Sequence, residues 1–404
     1  MVDTRSLKDS LRYKAQRLRE AIRSFAPPLA MSSPPTIAVG AAGAGSTISG
    51  VVKCAANDYT KFTVLGTTPI DHPGLVGSLI LPGHIKFAPS AGTADRGFHW
   101  GGAYYKVVFH TDAPVIEIDL FHVPGGAWRI FVDGQPTTSA ATNAQTDYAI
   151  RKTKLTFGSA TARHIEIEIA RMEFGGVGIG PNYSMWKPAI EPLRAIAIGD
   201  SYLDYGASYG NSYLESLGPT FMRSLGIADT YLSAIGGEGY LNAPTAFVSG
   251  EIPRLHIAHD ITPYAPDWII VALGINDTGQ TDLMLQTEVS AYHAALLAAN
   301  PNAIVTVYGP WRAPGLDPAQ SKSDAIKAGV AAQAGAMARK QLLFIDTYEE
   351  NWHQNAGRIG ATSGSGNSNI YIGADNVHPA MEGQEYLRQR MLRGALHHLD
   401  QLVA

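Results

Sequence analysis

The chain has 404 residues, of which 45% are hydrophobic and 16% are charged, and its formal net charge is −4. This length predicts about two domains plus a shorter segment, and the apolar share is enough for a sizeable core in each. The broad basic field that nucleic-acid binding requires is missing, so no nucleic-acid partner is expected.

The same composition limits other classes of structure. Cys54 is the single cysteine, which excludes an intramolecular disulfide and a cysteine-based metal cluster. No apolar stretch reaches the roughly 18 residues that span a bilayer, so no transmembrane segment is expected. The N-terminal segment lacks the apolar run of a secretory signal, which predicts a cytoplasmic location or export by another route.

The chain begins with a basic amphipathic pattern. Arginines and lysines lie between apolar residues that recur at helical spacing: Leu7, Leu11, Ala15, Leu18 and Ile22. We expect a helix over residues 4–25 and a proline-rich linker, so that residues 1–36 form a separate segment. Packing on its own protein is the favoured interpretation, and docking on an anionic surface or a partner is the alternative.

Residues 37–188 show the pattern of many short strands with glycine and proline between them. Asp133-Gly134 predicts a tight hairpin turn. In the run 164–170 three isoleucines face one way, while Glu166 and Glu168 face the other, as in a half-buried antiparallel strand. The predicted strands are Tyr104–His110, Val115–Phe121, Trp128–Val132, Lys154–Phe157 and His164–Ala170. We therefore expect an all-β, jelly-roll-like sandwich domain.

Residues 189–404 alternate between apolar strands and helical patterns. The expected helices lie near 211–225, 285–299, 323–340 and 382–399, and the expected strands are Ala195–Ile198, Tyr231–Ile235, Trp268–Leu273, Ile304–Tyr308 and Leu342–Ile345. This rhythm predicts a three-layer α/β/α domain with a mainly parallel five-stranded sheet. Sites in such sheets lie at the carboxyl ends of the strands.

A serine and a histidine lie where an α/β site is expected. Gly199-Asp200-Ser201 follows the first strand, and a serine there needs a base to become a nucleophile. The histidine of Asp375-Asn376-Val377-His378-Pro379 can take that proton, and a carboxylate three residues earlier can orient its ring. Considered singly, Ser201 can be a helix cap, and Asp375 can cap backbone amides at a helix entry.

Two further motifs follow strands. The asparagine of Gly274-Ile275-Asn276-Asp277 can donate a hydrogen bond to an oxyanion, and so can a glycine amide of Gly236-Gly237-Glu238-Gly239. Taken singly, both motifs can be tight turns only.

Together and in this order, the four motifs resemble the SGNH hydrolases of the GDSL superfamily, over about residues 194–399. The resemblance implies that Ser201 is the nucleophile, His378 the general base and then acid, and Asp375 the residue that orients His378. It also implies an oxyanion hole of the Ser201 amide, Asn276 and one glycine, for which Gly237 fits the spacing best.

Several alternatives stay open. Gly236 and Gly239 can replace Gly237 in the hole, and Asp346, at the end of a strand, is the rival for the acid. Tyr202 stands where the Gly-Asp-Ser-Leu motif that names the superfamily has leucine. An asparagine that commonly precedes the glycine motif is also replaced here. We expect these two departures to affect the substrate preference more than the chemistry. Tyr202 and Trp311 are the candidates for substrate contact, although Trp311 can equally be a core residue.

Other residues receive no role in the chemistry. His256 and His259 precede a strand and are expected on the far side of the sheet, as structural residues. No histidine and carboxylate cluster has metal-ligand spacing, so no metal and no cofactor are expected.

The predicted reaction is ester hydrolysis through an acyl-enzyme. A β-sandwich before an SGNH domain resembles carbohydrate acetylesterases, including carbohydrate esterase family two, which implies removal of O-acetyl groups from a polysaccharide or oligosaccharide. Aromatic side chains of the β-half can stack on sugar rings, although core packing is the favoured interpretation: Trp100, Tyr104, Tyr105 and Trp128. The alternatives are a lipase- or thioesterase-like acyl hydrolase and a non-catalytic glycan-binding or assembly protein.

Overall fold

The computed structural model of the chain describes residues 4–71, 79–82, 104–191, 193–204, 212–243, 255–350, 352–353 and 367–404. The side chain of Leu7, predicted on the apolar face of the N-terminal helix, and Trp100, a candidate for sugar stacking, lie outside the described part of the structure.

The N-terminal helix α1 (Thr4–Ser24) packs against the C-terminal helix (Met381–Val403) of the same chain. Arg19 and Arg23 both bind the Asp400 carboxylate of that helix, at 3.3 and 3.0 Å. The apolar residues of α1 that are buried in the shared core are Leu11, Ala15, Leu18 and Ile22. The predicted helix is confirmed, and its apolar face is covered by its own protein.

The next part of the chain consists of antiparallel strands. They are β1 (Thr36–Val39), β2 (Val52–Cys54), β3 (Thr63–Leu65), β4 (Pro69–Asp71), β5 (Ile80–Pro82), β6 (Tyr104–Thr111), β7 (Val115–His122), β8 (Ala127–Val132), β9 (Gln135–Pro136), β10 (Thr142–Asn143), β11 (Ala149–Thr156), β12 (Arg163–Ala170), β13 (Glu173–Ile179) and β14 (Met185–Trp186).

These strands belong to two sheets. One has the order β1-β11-β7-β13-β5-β4 with β2 also on β13, and the other begins β10-β8-β12-β6. Ile116 and Ile118 of the first sheet and Ile165 and Ile167 of the second lie in one buried apolar cluster. The alternation of isoleucines in β12 thus points to a shared core, while the jelly-roll-like topology stays a prediction.

The hairpin turn between β8 and β9 is confirmed. Asp133 and Gly134 both have positive φ, 50° and 81°, which the tight hairpin turn requires. Glycine takes such a conformation without strain, and aspartate tolerates it better than most residues do.

The rest of the chain alternates strands and helices. It contains β15 (Arg194–Gly199), a 3₁₀ helix (Tyr213–Glu215), α2 (Leu217–Ser224), β16 (Asp229–Ala234), a π-helix (His256–Ile261), α3 (Thr262–Tyr264), β17 (Trp268–Ala272), a second 3₁₀ helix (Ile275–Asp277), α4 (Asp282–Ala299), β18 (Ile304–Tyr308), α5 (Ala319–Ala331), α6 (Ala334–Ala338), β19 (Leu342–Ile345), α7 (Ser368–Tyr371) and α8 (Met381–Val403). Across the described ranges, no helix combines the length and the apolar character that crossing a membrane demands.

Five strands pair in parallel in the order β16-β15-β17-β18-β19. Alternate residues of β15 point to opposite faces. Ala195 and Ala197 pack in the cluster that contains α1, α2 and α8, and Ile196 and Ile198 pack in the cluster that contains α4 and α5. Helices therefore cover both faces of these strands, and the predicted α/β class is confirmed.

The sheet itself corrects the prediction, because it is mixed rather than mainly parallel. Strand β6 of the antiparallel part lies beside β16 and pairs with it through Tyr104 and Leu232, so that, among the residues that the structure describes, the strands form a single 12-stranded sheet. This pairing covers the edge of β16, where unpaired backbone groups would otherwise remain.

Candidate active site

Ser201 lies in the turn directly after β15, at the carboxyl end of the strand. The turn is closed by the backbone amides of Leu203 and Asp204, which both donate to the carbonyl of Asp200. A side chain at Gly199 would come within 2.6 Å of Leu203, so the turn requires glycine there. This geometry leaves the Ser201 side chain half-buried at the sheet edge.

The histidine loop is organised around one carboxylate. Asp375 Oδ1 accepts the backbone amides of Val377 and His378 at 3.0 Å each, and Oδ2 lies 2.7 Å from His378 Nδ1. Asn376 has φ +63°, a left-handed conformation that asparagine tolerates better than most residues. Partial burial alone would raise the pKa of Asp375, but these three donors hold it below its ordinary value. Asp375 is therefore ionised at neutral pH.

The structure brings these two loops together. His378 Nε2 lies 2.8 Å from Ser201 Oγ. Because the ionised Asp375 carboxylate favours a proton on Nδ1, Nε2 is left to accept the serine hydroxyl hydrogen. A hydroxyl, an imidazole and a carboxylate thus form one continuous hydrogen-bonded chain.

The rival carboxylate has other partners. Asp346 accepts hydrogen bonds from Ser323 and Lys327 and from two backbone amides of its own loop. It therefore serves β19 and α5, whereas the carboxylate that lies against His378 Nδ1 is that of Asp375.

The glycine loop after β16 offers one uncommitted amide. Gly236 N–H donates to Asp204 Oδ2 at 2.6 Å, and Gly239 N–H donates to the carbonyl of Asn242 at 3.0 Å. The Gly237 amide has no hydrogen-bond partner among the residues that the structure describes, and its φ is +82°. Of the three glycines, Gly237 alone keeps a free donor in this arrangement.

Asn276 lies in the short 3₁₀ helix after β17. Its Nδ2 donates to the carbonyl of Glu238, in the glycine loop, at 2.8 Å. A carboxamide nitrogen carries two hydrogens, so the second N–H remains available for a ligand. The contact places the amide of Asn276 beside the glycine loop.

A sequence profile of the GDSL-like Lipase/Acylhydrolase family matches residues 197–386. The match covers just under half of the chain, which over these residues is similar to that family. Among curated protein sequences, none matches the chain.

The fold of the chain is also similar to that of several solved structures. A salicylyl-acyltransferase (SsfX3) from a tetracycline biosynthetic pathway is 14% identical, with a TM-score of 0.62, covering 86% of this chain and 98% of that one. A family two carbohydrate esterase from Cellvibrio japonicus is 14% identical, with a TM-score of 0.57 and coverage of 86% and 99%. An acetyl xylan esterase (Est2A) from the rumen bacterium Butyrivibrio proteoclasticus is 14% identical, with a TM-score of 0.55 and coverage of 85% and 96%.

At such identities the likeness shows a shared fold. Together with the family match, it supports a carboxylic ester hydrolase.

The burial of Tyr202 and Trp311 argues against their predicted contact with substrate. Each side chain is 1% exposed, and the two rings stack with their centroids 5.4 Å apart. The Tyr202 hydroxyl donates to the carbonyl of Val377 at 2.5 Å. Tyr202 therefore holds the loop that carries His378 through a hydrogen bond to its backbone.

The aromatic residues of the β-half are also buried, which corrects the idea that they stack on sugars. Tyr104, Tyr105 and Trp128 lie in the core, and the hydroxyl of Tyr104 donates to Glu168. Tyr104 and Tyr105 are consecutive and point to opposite faces of β6, and each face is covered by a separate apolar cluster.

Sequence reasoning missed the carboxylate that shapes the glycine loop. The buried Asp277 side chain accepts the backbone amides of Tyr240, Leu241 and Asn242 at 2.8, 3.0 and 2.8 Å. Burial raises the pKa of Asp277, and these amides oppose the rise. The only signal was the position of Asp277 next to Asn276.

His256 does not lie on the far side of the sheet, which corrects its predicted place. Its Nε2 is 3.0 Å from the Glu238 carboxylate, in the glycine loop at the active edge. The segment that carries it returns to the carboxyl end of β16, although it precedes β17 in the chain.

Proposed function

We propose that the chain is a serine esterase that hydrolyses its substrates through an acyl-enzyme on Ser201. The observation that carries the proposal is the hydrogen-bonded chain from Asp375 through His378 to Ser201 Oγ. Serine is a weak nucleophile at its own pKa, and a neighbouring imidazole is the group that activates it.

In the first half of the reaction, Ser201 Oγ attacks the ester carbonyl carbon while His378 Nε2 takes the hydroxyl proton. The carbonyl oxygen becomes an oxyanion, which accepts hydrogen bonds from the Ser201 amide, the Gly237 amide and Asn276 Nδ2. Collapse of this intermediate breaks the bond to the alkoxy oxygen, which leaves as the alcohol with the proton from His378. Asp375 stabilises the imidazolium throughout.

In the second half, water replaces the alcohol. His378 takes a proton from the water as its oxygen attacks the acyl carbon. The tetrahedral intermediate then releases the carboxylic acid, and the proton returns to Ser201 Oγ. The same hydrogen-bond donors stabilise both intermediates.

We propose an acetylated polysaccharide or oligosaccharide as the substrate. Two of the structural relatives are a carbohydrate esterase and an acetyl xylan esterase, and the likeness to them extends over most of this chain. In this proposal, residues 37–188 form the jelly-roll-like sandwich and residues 189–404 the three-layer catalytic domain, with residues 1–36 as a packed N-terminal segment. The buried aromatics of the sandwich do not contribute to this argument.

The test is acetate release from acetylated xylan, other acetylated glycans and p-nitrophenyl acetate, by wild type and by Ser201→Ala. We expect release by wild type, none above background by Ser201→Ala, and labelling by a fluorophosphonate only where Ser201 is present. Ser159→Ala is the control, because Ser159 is an exposed serine in the turn between β11 and β12.

Activity confined to long-chain acyl esters would reject the carbohydrate substrate and leave the esterase. Equal activity of Ser201→Ala and wild type would reject the esterase mechanism itself.

A further inference from the structure

A second, completely buried group of polar side chains lies behind the glycine loop. His256 Nδ1 is 2.9 Å from Ser233 Oγ and 2.8 Å from Asp260 Oδ2, and its Nε2 is 3.0 Å from Glu238 Oε2. The four side chains come from β16, the glycine loop and the π-helix, and all are 0% exposed. Tyr231 also donates to Asp260, at 3.1 Å.

The group contains a serine, a histidine and an aspartate, but it is not a second catalytic centre. Asp260 and Ser233 both lie against the same ring nitrogen, so no base faces the hydroxyl on its own, and Ser233 itself donates to Asp260 at 2.5 Å. Complete burial also leaves no path for a substrate.

The imidazole ring instead joins two carboxylates. Burial alone would favour the neutral ring, but Glu238 and Asp260 outweigh it and raise the pKa of His256 to about 10. As an imidazolium, His256 donates one N–H toward each carboxylate, and such charge-assisted bonds are stronger than neutral ones.

Glu238 connects this group to the oxyanion donors. Its side chain points inward to His256, while its backbone carbonyl accepts Asn276 Nδ2 at 2.8 Å. The residue immediately before it is Gly237, whose amide is the free donor of the loop. One anchored residue therefore sets the place of both proposed donors.

We propose that His256 is a positioning residue that holds Glu238, and through it the Gly237 amide and the Asn276 side chain, in the geometry of the oxyanion hole. The inference rests on the proposed esterase function for its catalytic consequence. Its structural consequence, the order of residues 236–242, can be measured without any activity.

The effect on catalysis should fall in kcat. Removing one oxyanion donor lowers turnover about 10²- to 10³-fold. Loss of His256 displaces donors rather than removing them, so we expect a fall of roughly 10- to 100-fold. KM should stay within about twofold, because the donors act mainly in the transition state.

The experiment compares His256→Gln with His398→Gln. His398 is an equally buried imidazole, bound to Thr306 and to the carbonyl of Lys340, in α8. Both variants lose a buried ring, but only His256→Gln should lower kcat and speed hydrogen–deuterium exchange of the backbone amides in 236–242. Normal exchange and normal kcat in a folded His256→Gln protein overturn the proposal.

Two variants of Glu238 test the same contact between His256 and Glu238 by changing the carboxylate instead of the ring. Glu238→Gln keeps an oxygen that accepts the His256 hydrogen. We therefore expect kcat within about threefold of wild type, because the free energy of a threefold change is less than that of one lost hydrogen bond. Glu238→Ala removes the anchor and should reproduce the loss in His256→Gln. If both Glu238 variants keep full activity and normal exchange, His256 does not position the loop, even where His256→Gln itself fails to fold.

The two hypotheses fail in different ways. A wild-type protein that hydrolyses no ester rejects the proposed function, and the exchange of residues 236–242 then decides the role of His256 by itself. An active wild type with unchanged kcat and exchange in His256→Gln rejects the positioning role and leaves the esterase.

Discussion

Replacing Asn276 by alanine removes a side-chain amide with one contact in the structure and a second role in the proposed mechanism. One N–H of Nδ2 donates to the Glu238 carbonyl at 2.8 Å. The other, in the proposed mechanism, donates to the oxyanion. The two tasks have different energies, so they can be separated.

The catalytic task carries the larger energy. Loss of one oxyanion donor lowers kcat about 10²- to 10³-fold, or about 2.7–4 kcal/mol of transition-state stabilisation. Loss of a neutral hydrogen bond lowers the free energy of unfolding by about 0.5–1.5 kcal/mol. Asn276→Ala should therefore remain folded at 25 °C while its turnover falls by at least two orders of magnitude.

The assay measures kcat and KM with p-nitrophenyl acetate and the free energy of unfolding in urea. KM should stay within about twofold, because the donor acts on charge that develops in the transition state. Asn57→Ala is the matched control, since Asn57 donates to Asp71 in the antiparallel part of the chain, and its kcat should equal that of wild type.

The proposed role of Asn276 as an oxyanion donor is refuted if Asn276→Ala retains more than a third of wild-type kcat while Ser201→Ala is inactive. The asparagine would then be a loop contact only, and the oxyanion would depend on backbone amides.

Three other variants test the support of the site and of the fold. Tyr202→Phe loses the hydrogen bond to the Val377 carbonyl and should lower kcat up to about tenfold, or ~1.4 kcal/mol, with KM unchanged in the same assay. Glu168→Gln leaves the buried guanidinium of Arg129 and the partly buried one of Arg223 without their carboxylate and should lower the free energy of unfolding by about 3–5 kcal/mol at pH 7. The charged neighbours overcome burial and depress the pKa of Glu168, so this contribution is complete above its ordinary pKa of 4.5 and is lost as pH falls, which urea unfolding at several pH values will measure. Leu18→Ala, in the buried face of α1, should lower the unfolding free energy by about 2–5 kcal/mol without changing kcat, and unchanged stability would mean that α1 does not pack on the domain.

Local features of the fold could be predicted from the amino-acid sequence. The strand Ile304–Tyr308 has the predicted bounds, and the turn at Asp133-Gly134 has the predicted conformation. Hydrophobic periodicity and turn chemistry depend on a few neighbouring residues, so they can be recognised without the tertiary fold. The contact between Asp375 and His378 is also a local feature, because both residues lie in one short loop.

The approach of Ser201 to His378 was also predicted, although the two residues are far apart in the chain. Ser201 follows a strand of the parallel sheet, at the edge where sites are expected. The loop of His378 lies between α7 and α8 and does not directly follow a strand, so its approach to Ser201 was implied by the family resemblance of the motifs. The role of each residue in the reaction stays a proposal.

Only the tertiary structure decided which surfaces are covered. Tyr202 and Trp311 are buried and stack on each other, and Tyr202 also donates to the backbone of the histidine loop. His256 reaches Glu238 because the π-helix folds back to the end of β16. Likewise, β6 extends the parallel sheet through a single pair of residues. Burial and strand pairing of this kind depend on which distant segments meet. The hydrophobic periodicity of one segment does not predict which other segment packs against it or pairs with it.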